Sequence, residues 1–222
     1  MKDNPSGKLR VLVIATTFPR WKNDQEPRFV YDLCRNLSDK VDLHILAPHY
    51  PGAKEQETWG EMKIIRFPYF YPKHLQKLCY DGGIIPKLKS SWLARLQLPF
   101  FLFSLFYRLI NITANNRFDL IHCHWLIPQG FFCALLKLFR GTPYLLTAHG
   151  GDVYSFKGVP VIPSLIKFTL KHSTLCTVNS QATRNRVLKF TKNSSVTVVP
   201  MGVELKQFHP DNYNEEIKAS QG

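Results

Sequence analysis

The chain has 222 residues, 45% of them hydrophobic, and a formal net charge of +13. This composition can build the core of one large or two small domains and excludes a disordered chain. The basic residues are scattered and match no nucleic-acid recognition motif, so we expect no nucleic-acid partner; an anionic membrane surface or a phosphate-bearing ligand fits the charge equally well.

Seven short apolar runs predict strands. The first, residues 9–15, reads LRVLVIA and is apolar almost throughout, which is typical of a strand buried on both faces of a parallel sheet. The others are residues 41–47, 62–67, 118–124, 143–148, 174–178 and 195–199.

Helical spacing of apolar residues predicts a helix after most of these strands. Pro27 suits the first turn of the first helix, Ser180 caps the last, and Pro99 interrupts or kinks the long one. The predicted helices cover residues 27–37, 88–112, 130–139, 163–171 and 181–190. Residues 48–63 read as a loop. Alternating strands and helices predict an α/β fold with a Rossmann-like, doubly wound, mostly parallel sheet of about seven strands.

Cysteine usage indicates the compartment. The five cysteines are an odd number with no paired metal spacing, so we expect buried free thiols in a reducing, cytoplasmic environment. They are Cys34, Cys79, Cys123, Cys133 and Cys176. Residues 1–8 are polar and are not followed by the apolar core of a signal peptide.

Residues 63–77 and 87–108 combine aromatic side chains with cations, which suits a lipid–water interface. Arg95, Pro99 and Arg108 interrupt the apolar stretch, so we expect a buried or interfacial helix and no membrane span. The alternative is an ordinary core helix with a solvated rim.

The stretch after the fifth strand carries the strongest chemical signal. Residues 147–152 read TAHGGD, in which Gly150 and Gly151 let the backbone approach a ligand and His149 and Asp152 flank them. Ligands of open α/β sheets bind beyond the carboxyl ends of the strands, so position and chemistry agree. The alternative is a plain strand-to-loop turn with a satisfied core histidine.

His122 and His124 alternate on one face of the fourth strand and can form a pocket wall. With His149 and Asp152 they could bind zinc, but they complete no known ligand spacing, so we expect no metal. Trp125 either closes over the pocket or packs. The sequence has no GxGxxG after the first strand, no Walker motif and no GxSxG, which argues against a dehydrogenase, a P-loop protein and an α/β-hydrolase.

Five segments, in order and at matching spacing, resemble the N-terminal half of family 4 glycosyltransferases, which have the GT-B fold. They are TTFPRW (16–21), HCHWLIPQG (122–130), TAHGGDV (147–153), VNS (178–180) and VPMGVE (199–204), followed by Phe208 and Pro210. The resemblance implies a polar tail at 1–8, a Rossmann-like domain at 9–205 that is one half of GT-B, and the start of an interdomain linker at 206–222.

The resemblance also implies a reaction. Such enzymes hold the acceptor on the N-terminal domain and a nucleotide-sugar co-substrate on the C-terminal domain, and they transfer the sugar with retention, without a further cofactor. His149 would face the donor sugar, and Asp152 would lie near it or hold the loop; both are assigned as catalytic. Arg20 and Arg28 are candidate anion contacts. The substrate-binding residues implied are Thr17, Arg20, Arg28, His124, Trp125, Gly150, Gly151, Asn179 and Gly202.

This sequence departs from the family pattern in three places. Residues 26–29 read EPRF where many members carry a glycine pair, and Met201 and Glu204 replace a common Asn and Asp. The sequence also stops where a donor domain is expected. We therefore expect a transferase that is inactive alone and needs that domain or a separate chain. The expected acceptor is a glycan or lipid-linked glycan, and the expected location is cytoplasmic, peripheral on the inner membrane face. The alternative is a non-catalytic module that binds glycolipid or a membrane surface.

Overall fold

The computed structural model describes residues 7–24, 26–155, 159–192 and 196–202. Within these ranges the strands form one sheet of eight, ordered β3-β4-β2-β1-β5-β6-β7-β8. They are β1 (Leu9–Ile14), β2 (Val41–Pro48), β3 (Gln56–Trp59), β4 (Met62–Phe67), β5 (Leu120–His124), β6 (Tyr144–Ala148), β7 (Leu175–Val178) and β8 (Val196–Val198). Only the β3–β4 pair of this sheet is antiparallel. The predicted α/β fold with a mostly parallel sheet is confirmed.

Helices cover both faces of the sheet. They are α1 (Phe29–Leu37), α2 (Ile84–Ser90), α3 (Trp92–Asn115), α4 (Phe131–Arg140), α5 (Gly151–Tyr154), α6 (Ile162–His172) and α7 (Gln181–Val187). Side chains of β1 alternate between two cores. Val11 and Val13 join the cluster under α1, whereas Leu12 and Ile14 join the larger cluster under α3, α4 and α6. Burial on both faces explains why the strand is a continuous apolar run.

The order of the strands places a crevice at the centre of the sheet. From β1 the chain winds outward to β2 and β4, and from β5 it winds in the opposite direction to β8. Ligands of such sheets bind where the winding reverses, beyond the carboxyl ends of the strands. Here that point lies between β1 and β5, where the loops after β1, β5 and β6 meet.

The prediction of a loop at residues 48–63 was wrong in part, because Gln56–Trp59 forms β3 and pairs antiparallel with β4. Its sequence, QETW, is polar apart from Trp59, the one buried residue in the strand. An edge strand of four residues needs few apolar side chains, so a search for apolar runs misses it.

The long helix also differs from the prediction. It begins at Ile84 and breaks at Ser91, whose extended backbone (φ −134°, ψ 124°) separates α2 from α3. The Ser91 hydroxyl accepts a hydrogen bond from the backbone N–H of Ala94 and so caps α3. Helix α3 continues through Pro99, where the sequence predicted an interruption or a kink, so the interruption is wrong and the kink stays a prediction. By length and composition alone α3 could cross a membrane, and 28% of its most apolar 18-residue window is buried.

Other expectations have mixed outcomes. All five cysteines are buried and free, as predicted. The Ser180 hydroxyl accepts from the backbone N–H of Thr183, which confirms its role as a helix cap, although α7 ends at Val187, short of the predicted residue 190. Residues 1–6, Ser195 and residues 203–222, with Glu204, Phe208, Pro210 and the predicted linker, lie outside the described residues.

Candidate functional site

A cluster of histidines lies at the crevice. His124 ends β5 and His149 follows β6, and His124 Nδ1 lies 2.9 Å from His149 Nε2. The His122 ring lies against His124, tilted by 31° with 4.3 Å between ring centroids, so the two side chains share a face as the alternation predicted. Two neighbouring strands therefore bring three imidazoles to one point.

Two aromatic rings contact the cluster from the crevice side. Trp125 and Phe29 each lie 4.9 Å from the His149 ring, centroid to centroid. Trp125 has φ 70°, a left-handed conformation that is unusual for a bulky residue, and its N–H donates to Thr147 O at 2.9 Å. The Trp125 ring packs against His149, and closure over the pocket, the other role considered, stays a prediction.

A chain of hydroxyl groups fixes His122 from behind. The Thr177 hydroxyl donates to Leu146 O at 3.2 Å and lies 2.8 Å from the Thr147 hydroxyl. The Thr147 hydroxyl in turn lies 2.8 Å from His122 Nε2. This chain of hydrogen bonds fixes the orientation of the His122 ring.

Asp152 connects the loops after β5 and β6. Its carboxylate is buried and accepts from the backbone N–H of Leu126 at 2.8 Å and of His149 at 3.2 Å. The two roles foreseen for Asp152 were a place beside the sugar and a hold on the loop. In this structure its oxygens accept from backbone donors of both loops, and a place beside the sugar stays a prediction.

Asn179 holds the same loop from β7. Its amide donates to His149 O at 3.2 Å, and its oxygen accepts from the Thr183 hydroxyl at 2.8 Å. Gly150 takes φ 92°, which a side chain would strain, and directs the chain from His149 into α5. The backbone of His149 is thus fixed through its N–H by Asp152 and through its C=O by Asn179.

Burial controls the charges of the site. It lowers the pKa of His122 and of His149 to about 4 and lowers that of His124 well below its usual value. It also raises the pKa of Asp152 to about 6, against the opposing effect of the backbone N–H groups around the carboxylate. At neutral pH the three imidazoles are therefore neutral. A neutral imidazole can hydrogen-bond a hydroxyl group without the cost of desolvating a charge.

The arginines of the first loop have different surroundings. Arg20 bonds both oxygens of Asp24 at 2.8 Å and Asp81 at 3.0 Å, so most of its donors are used within the protein. Arg28 precedes α1, is 38% exposed in its side chain and lies 3.8 Å from the Asp32 carboxylate. Of the two, Arg28 is better placed to meet an anion.

The remaining predicted residues lie around or away from the cluster. Thr17 is half-buried in the loop after β1, and Gly151 begins α5 with open space above its Cα. Gly202 follows β8 at the far edge of the sheet, three strands from β5. Across the described ranges, no group of three or more His, Cys, Asp or Glu could hold a metal ion.

Sequence reasoning missed two parts of the site. Phe29 was assigned to the helical core, yet its ring lies on His149. Thr177 gave no signal beyond strand propensity, and Thr147 was noted only as the first residue of the TAHGGD stretch. Their hydrogen bonds to each other and to His122 appear only when β5, β6 and β7 align in register. The position of Phe29 directly after Arg28, at the start of the first helix, was the one available hint.

Comparison with known proteins agrees with this description. The model of glycosyltransferase family 4 matches residues 27–207. An uncharacterized glycosyltransferase of Methanocaldococcus jannaschii is 31% identical over 88 residues, which are 40% of this chain and 25% of that protein. This chain therefore aligns with only a quarter of that relative's length.

Two solved structures have the same fold. A sucrose-phosphate synthase from Thermosynechococcus elongatus superposes with a TM-score of 0.56 at 14% identity, over 96% of each chain. A UDP-forming α,α-trehalose-phosphate synthase from Burkholderia vietnamiensis gives a TM-score of 0.58 at 13% identity, over 96% of this chain and 53% of that one. The chain thus spans about half of the second protein. The expected half of a GT-B architecture is confirmed.

Proposed function

Because this chain belongs to glycosyltransferase family 4, we propose that it is the acceptor-side domain of a retaining glycosyltransferase. The reaction moves a sugar from a nucleotide-sugar to a glycan or a lipid-linked glycan, and the chain works with a donor-binding domain on the same polypeptide or on a separate chain. No metal or further cofactor is part of the proposal. The observation that carries it is His149, fixed by Asp152 and Asn179 at the crevice of the sheet.

The chemistry of this site suits glycosyl transfer. A neutral imidazole can hydrogen-bond sugar hydroxyl groups without carrying its own charge into the cleft. Negative charge develops on the departing diphosphate, and a fixed cation beside the cleft stabilises that charge. Arg28 supplies such a cation next to Phe29, whose ring contacts His149.

A transfer assay tests the proposal. Radiolabelled nucleotide-sugars and a membrane extract are supplied to the chain alone and to the chain mixed with a polypeptide that carries a donor domain. We expect transfer in the mixture and little or none by the chain alone. In the mixture, His149→Ala should reduce transfer about 100-fold or more, whereas His74→Ala, which changes an exposed histidine, should leave it unchanged.

Further readouts separate the parts of this proposal. The anomeric configuration of the product, read by NMR, distinguishes retention from inversion. Strong transfer by the 222 residues alone would refute the need for a donor domain. Equal activity of His149→Ala and the parent would refute the assigned site.

Helix α3 favours a second role, peripheral contact with a membrane surface. One face of α3 packs on the sheet through Ala94, Phe101, Leu105 and Leu109. Its outer face carries five exposed large side chains with spacings of three and four residues: Trp92 (74% exposed), Leu96 (46%), Phe100 (50%), Phe103 (71%) and Tyr107 (54%). At 1.5 Å per residue this strip is about 22 Å long.

The charge around α3 complements anionic lipid. Residues 82–118 contain no Asp or Glu and five cations, namely Lys87, Lys89, Arg95, Arg108 and Arg117. Aromatic rings settle at headgroup depth, and each cation near an anionic surface contributes about 1 kcal/mol. A lipid-linked acceptor would then reach the site from the inner membrane face. If transfer fails in every mixture, the same surface supports the non-catalytic membrane-binding module.

Vesicle co-sedimentation tests this role. We expect binding to vesicles with about one-third phosphatidylglycerol and weak binding to pure phosphatidylcholine. Phe103→Glu should reduce the bound fraction about ten-fold, while Phe139→Glu, which changes a ring 77% exposed on α4, should leave it unchanged. Equal binding of both variants, or no binding to either vesicle, would refute a membrane surface at α3.

A further inference from the structure

His124 lies deeper in the protein than His149. Its side chain is 0% exposed, whereas His149 is half-buried at the crevice. The two rings are nearly parallel, at 16° with 5.2 Å between centroids, and His124 Nδ1 is 2.9 Å from His149 Nε2. A ligand in the crevice therefore meets His149 first, and His124 acts on that ligand through His149.

The contact with His124 decides which nitrogen of His149 faces a ligand. A half-turn of the His149 ring would place Cε1 against His124 Nδ1 and lose the hydrogen bond, so the orientation of the ring is fixed. With Nε2 used by His124, the remaining nitrogen is Nδ1, which has no protein partner within the described residues and is not enclosed. Nδ1 is thus the ring atom through which His149 meets a ligand.

The hydrogen bond between the two rings contains a single proton. Burial lowers the pKa of both imidazoles, so at neutral pH each ring is neutral and carries one proton. In one arrangement His124 donates from Nδ1, and His149 carries its own proton on Nδ1. In the other, His149 donates from Nε2, and His124 carries its own proton on Nε2. The tautomers of the two residues are therefore coupled.

The surroundings of His124 Nε2 favour the first arrangement. This atom is enclosed and has no hydrogen-bond partner in the described part of the chain. In the second arrangement it would be a buried N–H without an acceptor, which is rarer in proteins than a buried acceptor without a donor. His149 Nδ1, in contrast, can be paired in either arrangement, because the crevice gives it access to water or to a ligand.

From the enclosure of His124 and its bond to His149 we propose that His124 is a positioning residue of the transfer site, which holds His149 in the tautomer protonated on Nδ1. His149 then presents a neutral hydrogen-bond donor, and the group that it fits is a ligand oxygen that accepts a hydrogen bond. It does not take a proton from the acceptor hydroxyl, because the lone pair of Nε2 is used by His124. The inference rests on the proposed function, since it assigns the role of His149 in that site.

Nitrogen-15 NMR of the chain labelled at histidine measures the tautomer directly, without any transfer step. We expect His149 in a single form, protonated at Nδ1 and unprotonated at Nε2. A matched pair of variants isolates the bond. His124→Asn places an amide nitrogen at the position of Nδ1 and should keep that form. His124→Gln moves the amide nitrogen away from this position and should leave His149 as a mixture of both tautomers.

A distant histidine provides the control. On α6, His172 Nδ1 lies 2.8 Å from the carbonyl oxygen of Phe168, so this ring is also hydrogen-bonded. His172→Gln removes the ring and should leave the signals of His149 unchanged. Thermal melting checks that each variant is folded. If His124→Gln does not fold, the spectrum of the parent still decides the inference, because it shows directly which nitrogen of His149 carries the proton.

Two outcomes would overturn the inference: a parent His149 that is protonated on Nε2 or present as a mixture, or a His149 tautomer that His124→Gln leaves unaltered. Failure here is distinguishable from failure of the proposed function. In the mixture with a donor domain, His124→Gln should lower transfer about ten-fold and His124→Asn less than about three-fold. Transfer by a parent whose His149 is protonated on Nε2 would keep that function and reject the role of His124. The expected tautomer without transfer in any mixture would do the reverse.

Discussion

Replacing Gly130 by alanine tests how closely the loop after β5 packs on its neighbours. A Cβ at this position would lie 2.7 Å from Thr169 Cγ2 and 2.8 Å from Leu146 Cδ2. Both neighbours are buried, so one of them or the helix must move. The backbone of Gly130 is itself helical (φ −61°, ψ −34°), so the conflict is one of space alone.

The magnitude follows from two opposing effects. Overpacking a core costs about 1–3 kcal/mol, and alanine in a helical backbone recovers about 0.5–1 kcal/mol of that. We expect Gly130→Ala to lower the free energy of unfolding by about 1–2 kcal/mol, which for a chain of this size lowers Tm by about 2–8 °C. Denaturant unfolding followed by circular dichroism measures the first quantity and thermal melting the second.

Two further variants make the test specific. Thr169→Ser deletes the methyl group that conflicts with the new Cβ, so in a double-mutant cycle the cost of Gly130→Ala should shrink in its presence. Gly151→Ala makes the same change where no atom lies within 4 Å of the new Cβ and should not destabilise the protein. A Gly130→Ala protein as stable as the parent, or a cost unaltered by Thr169→Ser, would refute the packing described here.

Three further predictions concern pH, thiol chemistry and capping. The pKa values of His122 and His149 are lowered in the folded state to about 4. Because the unfolded chain then binds more protons than the folded one, the free energy of unfolding is highest above about pH 6.5 and falls as the pH drops towards 4, by up to about 3 kcal/mol for each histidine. Asp152, whose pKa is raised to about 6, has the opposite effect on the free energy of unfolding. Chemical denaturation between about pH 7 and pH 4 should show a net decrease in this free energy, and His122→Gln should make the decrease smaller. A free energy of unfolding that rises on acidification would contradict the lowered histidine pKa values. The five buried thiols should resist Ellman's reagent until the protein unfolds, and fast labelling of the native chain would show that the core is open. Ser180→Ala removes the acceptor for the Thr183 N–H and should cost about 0.5–2 kcal/mol of unfolding free energy, whereas a Ser180→Asp variant should retain most of it.

The sequence predicts the sheet well because its central strands are buried on both faces and therefore leave continuous apolar runs. The polar edge strand β3 leaves no such run, so its hairpin with β4 was missed. The long helix was placed approximately, but an interruption or kink was predicted at Pro99 because proline is the strongest local signal. The helix breaks at Ser91, whose hydroxyl accepts a hydrogen bond from the backbone N–H of Ala94. Residue propensities alone do not indicate that this cap outweighs the effect of Pro99.

The site was predictable only as far as strand ends identify it. His124 ends β5, Trp125 comes next, and His149 follows β6, so the parallel pairing of the two strands brings the three residues together. Phe29 contacts His149 because the start of α1 lies over the point where the winding of the sheet reverses. No local sequence pattern indicates this placement of α1. The hydrogen bond from the Asn179 amide to the His149 carbonyl likewise depends on the register of β6 and β7.

The first loop reads EPRF at residues 26–29, where many family members carry a glycine pair. This difference changes how the loop could bind an anion. Glu26 accepts the backbone N–H of Asp81 at 2.6 Å, and Arg20 bonds the carboxylates of Asp24 and Asp81. These contacts tie the loop to residues 80–81, a region where Tyr80 and Asp81 both adopt positive φ. A loop held in this way lacks the open glycine backbone that brings N–H groups close to a phosphate.

Side chains must then supply the recognition that backbone groups supply in a glycine-rich loop. Arg20 is engaged within the loop, whereas the side chain of Arg28 at the start of α1 is 38% exposed, so Arg28 is the better placed of the two to meet an anion. A guanidinium on a side chain can follow a charged group over a few ångströms, whereas fixed backbone donors cannot. Under the proposed function Arg28 is the cation for the donor diphosphate, and Arg28→Lys, which keeps the charge but loses the planar fork, should lower transfer in the mixture with a donor domain.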